Sequence, residues 1–154
     1  MNNIVDILEV GLRDGLQNIN RKISIQDRLF IIEGLIEAGI TKIQVASFVD
    51  PKLVPQMAYA ENLVKRLNKI NEVEYSGLVF NAKGIERALS CGLGKIETSI
   101  STSEIYSKRN LGMSVSESLI NLKTIVELAK ESSMEIRAGL QCVWGYDGYN
   151  DYNQ

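Results

Sequence analysis

The sequence of 154 residues contains no histidine, and with it the chain lacks the commonest general base and metal ligand. Ser-His-Asp and Cys-His machinery and every histidine-containing zinc site are thereby excluded. Any acid or base must be a carboxylate, Lys, Tyr, Cys or water. Cysteine is nearly as scarce. Cys91 and Cys142 stand far apart without metal-ligand spacing, so a four-cysteine zinc site is impossible and two reduced thiols are expected rather than a disulfide. Positive charge is not in excess: the formal net charge is -2, the pI is near 5.3 and no basic run exceeds Lys108-Arg109. Nucleic acid and anionic membrane are therefore not expected partners. Long apolar runs are missing too, with no stretch near the ~18 residues of a membrane span. The opening Met-Asn-Asn-Ile-Val-Asp lacks a basic region and a long apolar core, so a cytosolic location is expected.

What is present is ordinary globular composition, 45% hydrophobic and 23% charged, which predicts one domain over residues 1–154. Strand-like apolar runs alternate with helical periods, the pattern of βα units on a parallel sheet. The runs predict five strands: Ile4 to Val10, Lys42 to Ser47, Tyr75 to Phe80, Lys95 to Ser101 and Glu135 to Cys142. Helices are expected over Ser24 to Ala38 and Lys83 to Cys91, with Gly39 and Gly92 as their stops. Ser114-Val115-Ser116-Glu117 has capping-box spacing and opens a helix to about Ser133. Leu119, Leu122, Ile125, Val126 and Ala129 are expected to form its apolar face. Gly92-Leu93-Gly94 reads as a turn, since a dinucleotide loop would follow a strand and open a helix.

In α/β sheets and (β/α)8 barrels ligands bind at the carboxyl ends of the strands. The first of those ends reads Glu9-Val10-Gly11-Leu12-Arg13-Asp14-Gly15-Leu16-Gln17-Asn18. A carboxylate leaving a strand can hold a hard divalent cation, and a neighbouring guanidinium can neutralise developing enolate charge. A bare Arg-Asp pair is usually a weak surface ion pair; here the flanking glycines and the strand placement favour a site. The polar, aromatic tail from Tyr146 to Gln154 follows the last strand at the same end.

This segment closely resembles the signature of the 3-hydroxy-3-methylglutaryl-CoA lyases, within the wider group of barrel metallolyases and pyruvate carboxyltransferase-like enzymes. The run Ser47-Phe48-Val49-Asp50-Pro51-Lys52-Leu53-Val54-Pro55-Gln56-Met57 looks like the same family's loop after strand two. Ser103-Glu104-Ile105-Tyr106-Ser107-Lys108-Arg109-Asn110 and Arg137-Ala138-Gly139-Leu140-Gln141-Cys142 follow in the family's order. The resemblance covers essentially the whole chain. It implies an acyl-CoA substrate, Mg²⁺ or Mn²⁺ as cofactor, and a retro-Claisen cleavage yielding acetyl-CoA and acetoacetate. By position, Asp14 would be a metal ligand and Arg13 would stabilise the enolate. Gln17 and Asn18 would shape the pocket. Gln44, Ser47, Lys108 and Asn110 would contact substrate.

The sequence departs from the family at Gln44, where well-known lyases carry Glu, and in the run Tyr146-Asp147-Gly148-Tyr149. It also reads as an incomplete barrel, because a (β/α)8 barrel takes about 250 residues and eight strands. The family's histidine metal ligands belong to the later strands. The chain alone is therefore expected to be inactive: a fragment of an active lyase, a half that needs a complementing chain or a homo-oligomer, or a non-catalytic CoA-binding or oligomerisation module.

Overall fold

The computed structural model describes residues 5–67 and 72–146. The start of the first expected strand at Ile4 and the tail from Asp147 to Gln154 lie outside them. Four strands, β1 (Lys42–Ser47), β2 (Glu74–Leu78), β3 (Lys95–Ser101) and β4 (Glu135–Gln141), form a parallel sheet in sequence order. Among the described residues five α-helices accompany them: α1 (Ile25–Glu37), α2 (Ala60–Arg66), α3 (Ala82–Ser90), α4 (Glu104–Leu111) and α5 (Val115–Glu131). This is the parallel β/α series of an unclosed barrel.

Local chemistry explains where the helices begin and end. The hydroxyl of Ser24 accepts from the Asp27 amide at 3.1 Å, and the Asn81 side chain accepts from Gly84 at 2.8 Å. At Ser114 the reciprocal box forms, with the Ser114 amide donating to Glu117 Oε2 at 2.7 Å. Three helices then stop in the same way. Gly39, Gly92 and Ser133 take left-handed φ angles of 88°, 80° and 54°. The next residue's amide donates back five positions: Ile40 to Leu35, Leu93 to Ala88 and Met134 to Ala129, at 2.8 to 3.1 Å. These are Schellman closures, and each hands its chain to the following strand.

The two sheet faces differ. Ile43, Val45, Val79 and Ile96 are buried beneath the helices in one core with Ile32, Leu63, Ile85, Ile125 and Ala129. On the other face the register aligns Gln44 with Ser76, Leu78 with Glu97, and Glu97 with Arg137. That face carries the buried polar side chains of Gln44, Ser76 and Glu97.

Two expectations need correction. The segment from Ile4 to Val10 does not form the expected strand over its described residues: among these only Glu9 pairs, in a parallel bridge to Ile43, donating to Lys42 O at 2.9 Å and accepting from Gln44 N at 2.8 Å. Pairing stops there because the amides of Arg13 and Asp14 turn back onto the Val10 carbonyl, at 3.0 and 2.7 Å, while Val5 and Ile7 upstream are exposed. In α5 the buried stripe is Ser118, Ile125 and Ala129, and Leu119 faces solvent. Ser118 takes the inner place because its hydroxyl lies 3.0 Å from that of buried Ser107 and donates to Ser114 O at 2.9 Å.

Candidate active site at the Arg13–Asp14 turn

Residues Gly11–Gly15 form a single π-helical turn directly after the Glu9 bridge. Leu12 anchors it in the core. Arg13 is largely buried, its side chain 18% exposed, whereas the Asp14 side chain is 54% exposed. Arg13 Nε donates to the Gln44 side-chain oxygen, and Nη1 donates to Asp14 Oδ1 at 2.6 Å. Gln17 Nε2 reaches the same carboxylate oxygen at 3.3 Å, and Asn18 Nδ2 donates to the Asp14 carbonyl at 2.7 Å. Gln44 is 2% exposed on the polar face of β1, so it fixes the guanidinium from within the sheet.

The structure thus brings together Arg13, Asp14, Gln17, Asn18 and Gln44. Ser47 is buried at the end of β1, its hydroxyl 3.5 Å from the Leu78 carbonyl. Lys108 and Asn110 lie exposed on α4, and the charge of Lys108 is felt by Glu117 at the start of α5. No hydrogen bond or ion pair links either residue to the Arg13 turn among the described contacts. Both cysteines are free.

Sequence reasoning passed over one neighbour of the site. Burial pushes the Tyr106 hydroxyl pKa up, and the charges of Cys142, Tyr146 and, least, Asp14 add to the shift. Its ring packs edge-on against Tyr146, with centroids 5.0 Å apart, and Arg109 Nη1 donates to the Tyr146 hydroxyl at 3.1 Å. Only the position of Tyr106 inside the Ser103–Asn110 run could have signalled this.

The turn offers hard oxygen donors, the kind that Mg²⁺ or Mn²⁺ takes. Asp14 fits one ligand place, with an exposed carboxylate. Among the described residues no group of three or more His, Cys, Asp or Glu side chains is gathered to hold a metal ion. Nor is any helix among the described residues long and apolar enough to cross a membrane.

Comparison with known proteins decides the family. The HMGL-like family model matches residues 4–150. The chain belongs to the HMGL-like family. It is 37% identical, over 97% of its length, to a 3-hydroxy-3-isohexenylglutaryl-CoA/hydroxy-methylglutaryl-CoA lyase of Pseudomonas aeruginosa, of which the match covers 51%. The crystal structure of hydroxymethylglutaryl-CoA lyase from Pseudomonas aeruginosa superposes with a TM-score of 0.87 at 36% identity, covering 92% of this chain and 47% of that one. An HMG-CoA lyase from Acinetobacter baumannii, solved in complex with coenzyme A and 3-methylmalate, gives 0.83 at 25% identity, covering 89% and 45%. The HMGL-like chain spans about half the length of the curated relatives it matches.

Proposed function

We propose that the chain carries the Arg13–Asp14 side of a metal-dependent retro-Claisen site, of the kind that cleaves 3-hydroxy-3-methylglutaryl-CoA to acetyl-CoA and acetoacetate. The observation that carries this reading is the clamp on Arg13. The buried Gln44 oxygen and the Asp14 carboxylate hold one guanidinium at the mouth of a parallel β/α sheet, where such folds do their chemistry.

In the reaction a base takes the proton of the tertiary hydroxyl and a carbonyl forms at that carbon. The bond to the adjacent methylene breaks, and its electron pair passes to the thioester as an enolate. Protonation of the enolate carbon completes acetyl-CoA. Arg13 donates to the enolate oxygen, and because it is held before substrate arrives, little reorganisation is needed. Asp14 would be a ligand for Mg²⁺ or Mn²⁺, the remaining ligands coming from outside this chain's described residues. When bound, the cation would polarise the substrate hydroxyl and hold a substrate carboxylate. Gln17 and Asn18 fix the turn around Asp14 and line the pocket. Gln44 orients Arg13, and Ser47 closes the floor. Lys108 and Asn110 meet the CoA portion at the α4 rim.

With no histidine and a single site carboxylate, these residues form one part of the site, and turnover needs the rest of the barrel. A cytosolic setting suits this reading. The competing reading, a non-catalytic CoA-binding or oligomerisation module, needs neither Arg13 nor Asp14 for its activity. Mn²⁺ titration of the ¹⁵N-labelled chain separates them. Paramagnetic broadening centred on residues 13–18 that disappears in Asp14→Asn supports the site; broadening elsewhere, or unchanged in Asp14→Asn, removes it.

A further inference from the structure

The amino ends of β2, β3 and β4 border a cavity of about 410 Å³ that the proposed reaction does not use. Small-molecule sites fall in the range of roughly 300–1,000 Å³. Much of its wall is apolar: Leu67 at the end of α2, Val73 and Tyr75 around the start of β2, and Leu93 in the turn before β3. The polar part is a trio made by the first residues of three adjacent strands. Lys95 Nζ donates to Glu74 Oε1 and to Glu135 Oε1, both at 2.8 Å. The Lys95 side chain is 16% exposed, whereas those of Glu74 and Glu135 are 35% and 66% exposed. Burial acts to lower the Lys95 pKa, but the two carboxylates outweigh it and keep the ammonium charged.

One enclosed cation against two more exposed carboxylates leaves a net negative charge at the cavity. Oε2 of each glutamate accepts no hydrogen bond among the described residues. Lys95 therefore pins two carboxylates close together, each with an oxygen to spare. An incoming carboxylate would meet like charge. An ammonium group would balance the excess and donate charge-assisted hydrogen bonds to the spare oxygens, while the apolar wall would take a hydrocarbon body out of water.

We propose that this cavity binds a primary amine with an apolar body, its ammonium group held by Glu74 and Glu135 and its body against Leu67, Val73 and Leu93. None of these residues belongs to the Arg13–Asp14 site, so the inference stands apart from the reaction proposed above.

The probe is phenethylamine, protonated at neutral pH, titrated into the ¹⁵N-labelled chain while the amides of residues 73–75, 92–95 and 135 are followed. A saturable shift at these amides is expected. Phenylacetate keeps the ring but carries a carboxylate, and it should bind weaker by roughly ten-fold or more. Glu135→Gln keeps the shape and an acceptor for Lys95, and it should weaken phenethylamine roughly ten-fold. Its amide spectrum reports whether the fold is intact; where that spectrum is lost, Glu74→Gln is read in its place. No saturable shift in the unmodified chain, or one matched by phenylacetate or by sodium chloride of equal ionic strength, overturns the proposal. An unchanged affinity in the folded glutamine variant overturns it as well and leaves the trio as a clasp between three strands.

Discussion

Arg13 Nε donates to the Gln44 side-chain oxygen across 31 residues of sequence, joining the π-helical turn to the centre of β1. Gln44 is a neutral acceptor, so it sets the geometry of the guanidinium without adding to the charge pairing that Asp14 makes at Nη1. Gln44→Leu leaves a largely buried donor without this partner. The expected cost is about 1–3 kcal/mol of stability, read from urea unfolding, together with loosening of residues 11–15 in hydrogen exchange. Unchanged exchange there would show that the turn does not depend on Gln44.

A second arginine locks the loop that follows β1. Arg87 Nη1 donates to the carbonyls of Phe48 and Val49 at 3.1 and 2.9 Å, and its Nε and Nη2 grip Glu61 at 2.5 and 3.1 Å. The guanidinium carbon also lies 5.8 Å from the Phe48 ring centre. Arg87→Met is expected to destabilise the chain by about 1–3 kcal/mol, measured by the shift in urea midpoint.

The same clamp predicts a pH dependence. The Arg87 hydrogen bond holds the Glu61 carboxyl below its usual range, outweighing burial, which acts to raise it. A carboxyl lowered in the folded state stabilises it above the ordinary glutamate value of about 4.3, and this contribution fades as pH falls from there toward the lowered value. Glu61→Gln should therefore lose stability near neutrality and show a shallower acid limb than the parent. Parallel curves from pH ~6 to ~3 would contradict this.

Ser133 does with a side chain what Gly39 and Gly92 do without one. Its φ of 54° closes α5 in the left-handed region, a conformation that costs a non-glycine residue roughly 1 kcal/mol. Ser133→Gly is expected to raise stability by about 0.5–1 kcal/mol, visible as a higher thermal midpoint. Gly77 is the opposite case, since an added methyl would lie 2.5 Å from the Phe48 ring and 2.9 Å from Leu93. Gly77→Ala should cost about 1–3 kcal/mol through overpacking.

The four described strands, the helix stops at Gly39 and Gly92 and the capping box at Ser114 were legible because each rests on local chemistry. The failure of the first segment to pair beyond Glu9 was not, since it depends on where the Val10 carbonyl finds its partners. Leu119 misled because the Ser107–Ser118 contact, a tertiary hydrogen bond, decides which face of α5 is buried. In the site, Arg13, Asp14, Gln17 and Asn18 were legible as a run. Their link to Gln44 joins residues far apart in sequence. Glu97 carried no signal at all, being one acidic residue in a strand, and only the register beside Ser76 and Arg137 gives it a place.

The most direct test of the central claim joins this chain to the second half of the Pseudomonas aeruginosa relative and follows acetoacetate release from 3-hydroxy-3-methylglutaryl-CoA with Mg²⁺. Turnover by the joined protein, lost in Arg13→Met and in Asp14→Asn and absent from the 154-residue chain alone, is the predicted result. Turnover undiminished by both substitutions, or release by the chain alone, would contradict it.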